Sequence, residues 1–402
     1  MKKGIILLKE IEIREVAFVN DSDFKIPVTR ERFLELDLPE RLKLWAEDRE
    51  LEEYVLARAF SYKVNPASFP RANGATKVAV IGSGPAGLAC SDILNQLGFQ
   101  VTVFERDDRP GGLLMYGVPN IKLPKEILSA KIKGLKTAGV EFRLNTAVGT
   151  DISRQEIRER YAAMVICTGS TRPRVLQIAG SELAGIHYAL DFLTSTTKSL
   201  LDRGLEAGTF LSAEGRDVLI IGGGDTGTDC AALACSHGAK SVLQAELQAC
   251  DMARISREGF CELAAGDNTL RYNTKVKRLL GDDKGSVSGA ELCRVKWGYT
   301  DSGMPVAKEI DGSAVVLPVQ MVLLAIGFSG PEPEVFENFG IKKTPLGTIA
   351  TAGGSFAAGE PGVFAAGDAR RGGGMVAWAF DEGWDAAIEC AGYLAAAGIS
   401  LP

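Results

Sequence analysis

Two glycine-rich turns, 140 residues apart, constrain this chain more than any other feature. The first is Val78-Ala79-Val80-Ile81-Gly82-Ser83-Gly84-Pro85-Ala86-Gly87. The second is Val218-Leu219-Ile220-Ile221-Gly222-Gly223-Gly224-Asp225-Thr226-Gly227. Each follows a run with strand character and opens one with helix character. One such turn marks a dinucleotide site; two in one chain suggest two dinucleotides and electron transfer between a flavin and a nicotinamide.

The residues around each turn extend the pattern. Lys77–Glu105 reads as a βαβ unit: strand Lys77–Ile81, helix from about Pro85 to Leu97, a stop at Gly98, and strand Gln100–Phe104. The almost continuous apolar run at Val78–Ile81 suits a parallel strand covered on both faces. Arg216–Glu246 repeats the plan, with strand Asp217–Ile221, a helix from about Thr226 to Ser236, a stop at Gly238, and strand Ser241–Ala245. In the first turn Gly82 permits the tight bend, Gly84 lets the backbone approach a pyrophosphate, and Gly87 lets the helix pack on the strand. Ser83, Pro85 and Ala86 complete this cradle, whose exposed amides and positive helix end suit phosphates. Glu105, with Arg106 beside it, ends the second strand, where a carboxylate can accept hydrogen bonds from ribose hydroxyls. Gly222, Gly223, Gly224, Asp225, Thr226 and Gly227 form the corresponding cradle, and its acid is Glu246. A carboxylate there favours the free 2′-hydroxyl of NAD over the 2′-phosphate of NADP. Arg254 and Arg257 lie close enough in sequence to reach a phosphate, so NAD and NADP both stay open. The bland alternatives are a structural glycine turn and a solvated strand-end acid.

At 402 residues the chain is long enough for two or three domains. A net charge of −6 gives no basic footprint for nucleic acid. The apolar run Gly4–Leu8 is too short for a signal peptide, and no stretch reaches the ~20 apolar residues of a membrane span. The expected location is cytoplasmic. None of the eight cysteines forms Cys-x-x-Cys, so neither an iron–sulfur cluster nor a flavin-linked disulfide is expected. Cys230 and Cys235 are nearest in sequence, but five residues on a helix turn them roughly 140° apart. Reduced, buried thiols are the expectation. Of the two histidines, His187 and His237, the second precedes Gly238 and reads as a helix C-terminal residue, not a catalyst. Hydride transfer between cofactors needs no nucleophile or triad, and no catalytic side chain or metal ligand is expected.

Residues 1–75 have a different texture. Glu31–Ala59 is charge-rich with apolar residues at helical spacing, read as one or two amphipathic helices interrupted near Pro39. Residues 65–74 read as a linker. Two further strands, Ala163–Cys167 and Met321–Ala325, run into Thr168-Gly169 and Ile326-Gly327, turns suited to domain crossings. A last strand, Gly362–Ala366, leads to Gly367-Asp368 and a helix from about Met375.

These residues, with three further segments, resemble the small (beta) subunit of glutamate synthase and its relatives, from about Thr76 to the C-terminus. The segments are Arg109–Pro119 with Leu123-Pro124-Lys125, Gly367–Gly372 with Met375–Ala379 and Glu382-Gly383, and Ala325–Glu332. The resemblance implies an α/β fold of two Rossmann-like, three-layer ββα dinucleotide-binding domains, the NAD(P) domain inserted in the FAD domain, plus a partly helical N-terminal extension. The implied divisions are 1–75 (extension, a docking element or a packed one), 76–172 and 329–402 (FAD), and 173–328 (NAD(P)). It assigns Gly112, Leu113 and Gly117 to a flavin loop, Thr168 and Gly169 to the first crossing, and Gly327 to the second. Asp368, after Gly367, would hold the ribityl–phosphate part of FAD, and the helix opening at Met375 and Val376, with Ala379, would point its N-terminus at the flavin ring.

The departures from the family matter too. The family's N-terminal cysteines bind iron–sulfur clusters, whereas residues 1–75 here contain no cysteine, so clusters are expected on a partner. The segment Leu243–Leu247 departs from the arginine-bearing form that binds NADPH, and the cysteine pair of the disulfide reductases is missing. The expectation is an FAD-containing NAD(P)H:acceptor oxidoreductase subunit serving an iron–sulfur or flavin partner. Alternatives are a flavoprotein or scaffold that has lost nicotinamide binding, and a stand-alone reductase of a small molecule or quinone.

Overall fold

The computed structural model describes residues 75–248, 269–300 and 302–399. The amphipathic segment Glu31–Ala59, the linker 65–74, Cys250, Cys261, Arg254 and Arg257 lie outside them. In chain order the elements begin β1 (Lys77–Ile81), α1 (Pro85–Gln96), β2 (Gln100–Phe104), α2 (Leu113–Tyr116), α3 (Lys125–Thr137), β3 (Glu141–Arg143), α4 (Arg154–Arg160) and β4 (Ala163–Ile166). There follow β5 (Ile186–Tyr188), α5 (Ala189–Arg203), β6 (Asp217–Ile221), α6 (Asp225–Ser236), β7 (Ser241–Ala245), β8 (Thr269–Arg271), β9 (Thr274–Gly281), β10 (Val287–Tyr299), β11 (Pro305–Glu309), β12 (Val315–Pro318) and β13 (Met321–Leu324). The chain closes with α7 (Pro333–Phe339), β14 (Val363–Ala365), α8 (Asp368–Arg371) and α9 (Val376–Ala396).

The described chain divides into two units, 75–115 with 125–172 and 328–399, and 116–124 with 173–327. In the first, five parallel strands lie in the order β14-β4-β1-β2-β3. Alternation along each strand sends one set of side chains to each face. Ala79, Ile81, Phe104, Met164, Ile166 and Ala365 form one core with Ile157 of α4 and Phe339 of α7. Helix α9 packs on α1 so closely that a Cβ at Gly383 would strike the Ala86 carbonyl. Such contact needs glycine, and it fixes the start of α1.

The second unit repeats the parallel plan as β5-β13-β6-β7-β8. On one face Val218, Ile220, Val242 and Leu323 meet Phe192 of α5 and Ala231 of α6. On the other, Leu219, Ile221, Val322 and Leu324 meet Val276, Leu279, Val287 and Leu292. Those partners belong to an antiparallel sheet of β9, β10, β11 and β12. The layers are therefore sheet, sheet and helix. Sequence patterning had not singled out this antiparallel sheet, because its long central strand β10 mixes buried and exposed residues without a clean alternation. Residues 116–124 also group with the second unit, although the chain on both sides of them belongs to the first.

Candidate functional site

The first turn is shaped by backbone contacts that exclude side chains. Gly82 has φ +99°, and a Cβ there would strike the Cys167 carbonyl. A Cβ at Gly87 would strike the Gly82 carbonyl, so the entry of α1 lies directly on the turn. Around Gly84, by contrast, no atom lies within 4 Å of an added Cβ. This open position caps α1, no side chain caps the helix, and Pro85 occupies its first turn. The free amide end of the helix therefore faces open space, as an anion cradle requires.

Glu105 is buried at 5% exposure and ties the cradle together. Its Oε2 accepts from the Ser83 amide at 3.0 Å and from the Ser83 hydroxyl. Its Oε1 accepts from the Asp107 amide at 2.9 Å. The Ser83 hydroxyl in turn accepts from the Gly111 amide at 2.9 Å, which draws the loop ahead of α2 onto the turn. An added Cβ at Gly112, φ +53°, would lie 2.9 Å from the Gly84 Cα. Leu114 and Met115 behind it are buried, while Leu113 and Gly117 are partly open and Arg106 is exposed. At the end of β4, Gly169 has φ +74° with nothing within 4 Å of an added Cβ. The hydroxyls of Thr168 and Ser170 beside it are buried and have no hydrogen-bond partner among the described residues.

Gly367 and α8 join this cluster. A Cβ at Gly367, φ +70°, would lie 2.8 Å from the Ala86 Cβ. The Gly367 amide donates to Glu382 Oε2 at 2.9 Å, and Glu382 Oε1 accepts from Arg370 at 2.7 Å. Burial pushes the Asp368 carboxyl up to about 7; a Gly374 amide pulls it back, and Glu382 pushes it further. Arg371 stacks on the Trp378 ring at 4.1 Å. Helix α9 starts after Met375 with no side-chain cap and no acid in its first turn, leaving the amides near Val376 unneutralised, with Ala379 buried one turn on.

The second turn copies the backbone bonds and the carboxylate contacts of the first. Gly82 donates to Phe104 at 2.8 Å, and Gly222 to Ala245 at 2.9 Å. Glu105 donates its amide to Arg143 and accepts from Thr146; Glu246 does the same with Arg271 and Thr274. Asn145 and Asn273, both at positive φ, close equivalent turns onto Asp107 and Gln248. Gly222 (φ +118°) abuts the Ala325 carbonyl, Gly227 abuts the Gly222 carbonyl, and Gly224 and Gly327 are open. Asp225 and Thr226 are exposed at the start of α6. Glu246 Oε2 accepts from the Gly223 amide, and its Oε1 from the Gln248 amide at 2.7 Å.

Most of the sequence-predicted residues thus gather into two clusters, one per unit, whereas Gly117 of the predicted flavin loop falls in the second unit. Sequence reasoning missed Gln244, whose amide donates to the Gly222 carbonyl at 3.0 Å. A polar residue in the strand interior, between Leu243 and Ala245, was the available signal. It also missed a group of thiols beneath the first turn. Burial pushes the Cys90 thiol up, as does its hydrogen bond with Cys167, and Cys390 lies close enough to interact. These three are buried and reduced, as are Cys230 and Cys293, with Cys235 partly open. Raised by burial, the thiols of Cys90, Cys230 and Cys390 are poor nucleophiles. His237 ends α6 and sits edge-on to Phe192 and Phe210, with centroids 5.2 and 4.8 Å away.

An FAD fits the first cluster: an open glycine face, a backbone-held carboxylate and two hydroxyls without internal partners make a polar cradle. Comparison with known proteins agrees. Residues 76–383 match the pyridine nucleotide-disulphide oxidoreductase family. The chain is 38% identical to the "Glutamate synthase [NADPH] small chain" of Bacillus subtilis, covering 86% of this chain and 73% of that one. It is 41% identical to the "Glutamate synthase [NADH]" of Schizosaccharomyces pombe over 78% of this chain, a match that spans only 16% of that longer protein. Among solved structures, FprA from Mycobacterium tuberculosis in complex with NADPH is similar in fold, with TM-score 0.64 and 20% identity, covering 82% of this chain and 87% of that one.

Proposed function

From the premise that this chain belongs to the pyridine nucleotide-disulphide oxidoreductase family, among the relatives of the glutamate synthase small chains, we propose that it is the NADH-oxidising subunit of a two-component enzyme. The chain is an FAD-dependent NAD(P)H oxidoreductase. Bound FAD would supply the redox chemistry, hydride acceptance and one-electron release. The protein's own contribution is binding, orientation and charge. Gly82, Ser83, Gly84, Pro85, Ala86 and Gly87 would hold the diphosphate at the open end of α1, and Glu105 the ribose. Thr168, Gly169, Gly367 and Asp368 would line the central part of the cofactor. Gly112 and Leu113 would flank the ring, and the unneutralised amides at Met375 and Val376 would stabilise negative charge on it.

The single observation that carries the reading is the duplication of the cradle's backbone bonds, with an acid accepting from the turn amide in both copies. It supports a working nicotinamide site at Gly222–Gly227 over a scaffold that has lost one. Glu246 is fixed by two backbone amides, so it offers lone pairs to ribose hydroxyls and repels a 2′-phosphate. NADH is therefore the proposed donor. The name of the Bacillus relative, a small chain, supports a large partner subunit. The absence of cysteine from residues 1–75 supports iron–sulfur ligation, or a second flavin, on that partner.

The test is anaerobic titration of the purified full chain. FAD is expected at one per chain, and NADH should bleach it at far lower concentration than NADPH. A folded chain without flavin, or flavin that neither dinucleotide reduces, would sink the reading. In Glu246→Ser the preference for NADH should shrink about tenfold, the worth of one charge-assisted contact of roughly 1.5 kcal/mol. An unchanged preference would take the discrimination away from Glu246.

A further inference from the structure

We propose that Gln244 is a positioning residue for the second dinucleotide turn, holding one end of a single peptide plane whose other end Glu246 holds. The proposal rests on the nicotinamide reading of that turn. The Gln244 amide nitrogen donates to the Gly222 carbonyl oxygen at 3.0 Å, and the Glu246 carboxylate accepts from the Gly223 amide. That carbonyl and that amide belong to the same peptide unit. Residues two apart along an extended chain point to one side, so the end of β7 and the residue that follows it grip this plane from both ends.

The grip answers a specific weakness. The plane lies between two glycines, and a third follows. Glycine populates both signs of φ with little penalty, so the plane is free to rotate and turn its amide away from the cradle. The first turn does not have this freedom. Its second residue is Ser83, whose hydroxyl is tied to Glu105 and Gly111. At the strand position matching Gln244, opposite the penultimate residue of the turn's own strand, the first unit carries Val103. An apolar residue is thus compatible with this place in the sheet.

Gln244 also carries a cost that packing does not explain. It is fully buried, and its Oε1 has no hydrogen-bond partner among the described residues. A buried, unpaired amide oxygen destabilises a fold. The reverse amide orientation is excluded, since it would set two oxygens 3.0 Å apart. A residue that is costly to the fold and bonded to the turn is explained by preorganisation, which spares the ligand the expense of ordering a flexible loop.

The test compares the wild-type, FAD-loaded full chain with Gln244→Val and Gln244→Met, each with its flavin reduced beforehand with dithionite so that added NADH is not consumed, titrating NADH and measuring Kd, bound FAD and thermal midpoint. Both variants should bind NADH about three- to tenfold more weakly, the range of one hydrogen bond. Bound FAD should not change, and the midpoint should stay level or rise, because the orphaned oxygen is gone. In flavin reduction KM should rise while kcat holds. An NADH Kd within about twofold of wild type in a folded variant overturns the proposal. A chain that folds with neither valine nor methionine overturns it too, making Gln244 a stability residue. A wild-type chain that binds no NADH would instead defeat the functional reading on which this rests.

Discussion

At the scale of single residues, glycines in one turn do opposite work. Gly87 has no room for a Cβ because the Gly82 carbonyl lies on it, whereas Gly84 has nothing within 4 Å. Gly87→Ala should therefore destabilise the fold itself, by overpacking on the order of 1–3 kcal/mol. Gly84→Ala should leave the thermal midpoint of the FAD-free chain unchanged yet weaken FAD binding, since the added methyl fills space meant for phosphate. Equal thermal losses in both would contradict this division. His237 offers a pH test. Burial against two phenyl rings lowers its pKa from 6.5, so the fold favours the neutral ring. A depressed pKa contributes stability above the unfolded value and loses it as pH falls through the folded one. The chain should thus lose stability below about pH 6.5, and His237→Leu should lose less over the same acid range. Denaturant midpoints at several pH values would show it.

At the scale of elements, α1 is held by more than its turn. Lys131 of α3 donates to Asp92 of α1 at 2.7 Å, and both side chains are under a tenth exposed. Breaking a buried pair from one side strands a charge. Lys131→Met is expected to cost about 3 kcal/mol in urea unfolding. Pairing it with Asp92→Leu should recover most of that loss, because packed apolar residues replace a buried ion pair at little cost. A double variant no better than the single would show that the pair is needed for something besides neutralisation. Element boundaries were legible wherever a local rule set them. Proline opens α1, Gly98 at φ +89° ends it, and the apolar runs at β1 and β6 became buried parallel strands. Strands β9–β12 were not legible, because their pattern is set by the sheet they cover and not by a local turn.

At the scale of the whole molecule, the residues proposed for FAD come from segments starting at Gly82, Glu105, Thr168 and Gly367, while the second cradle draws on 222–246 and 325–327. Stripping FAD should lower the thermal midpoint, and restoring it at a hundredfold over Kd should return about 2.7 kcal/mol. The change should be local to the first unit. Amide exchange should quicken in β1 and α1 and stay constant in β6 and α6. Uniform loosening would mean that the two units do not respond separately. The sequence by itself determined both cradles, because a turn beneath a phosphate is a short-range object: three glycines, one strand, one helix and one acid lie between residues 77 and 105 and again between 217 and 246. It also disclosed the duplication, which is a matter of spacing. Only the tertiary structure decided what touches the turns from afar. It brought Gly111 to Ser83, the Ala325 carbonyl under Gly222, Cys390 near Cys90, and Gln244 to the peptide plane that Glu246 already held. Such contacts depend on which strand lies beside which, and strand order is settled by burying shared faces across the sheet, information that no local stretch of sequence contains.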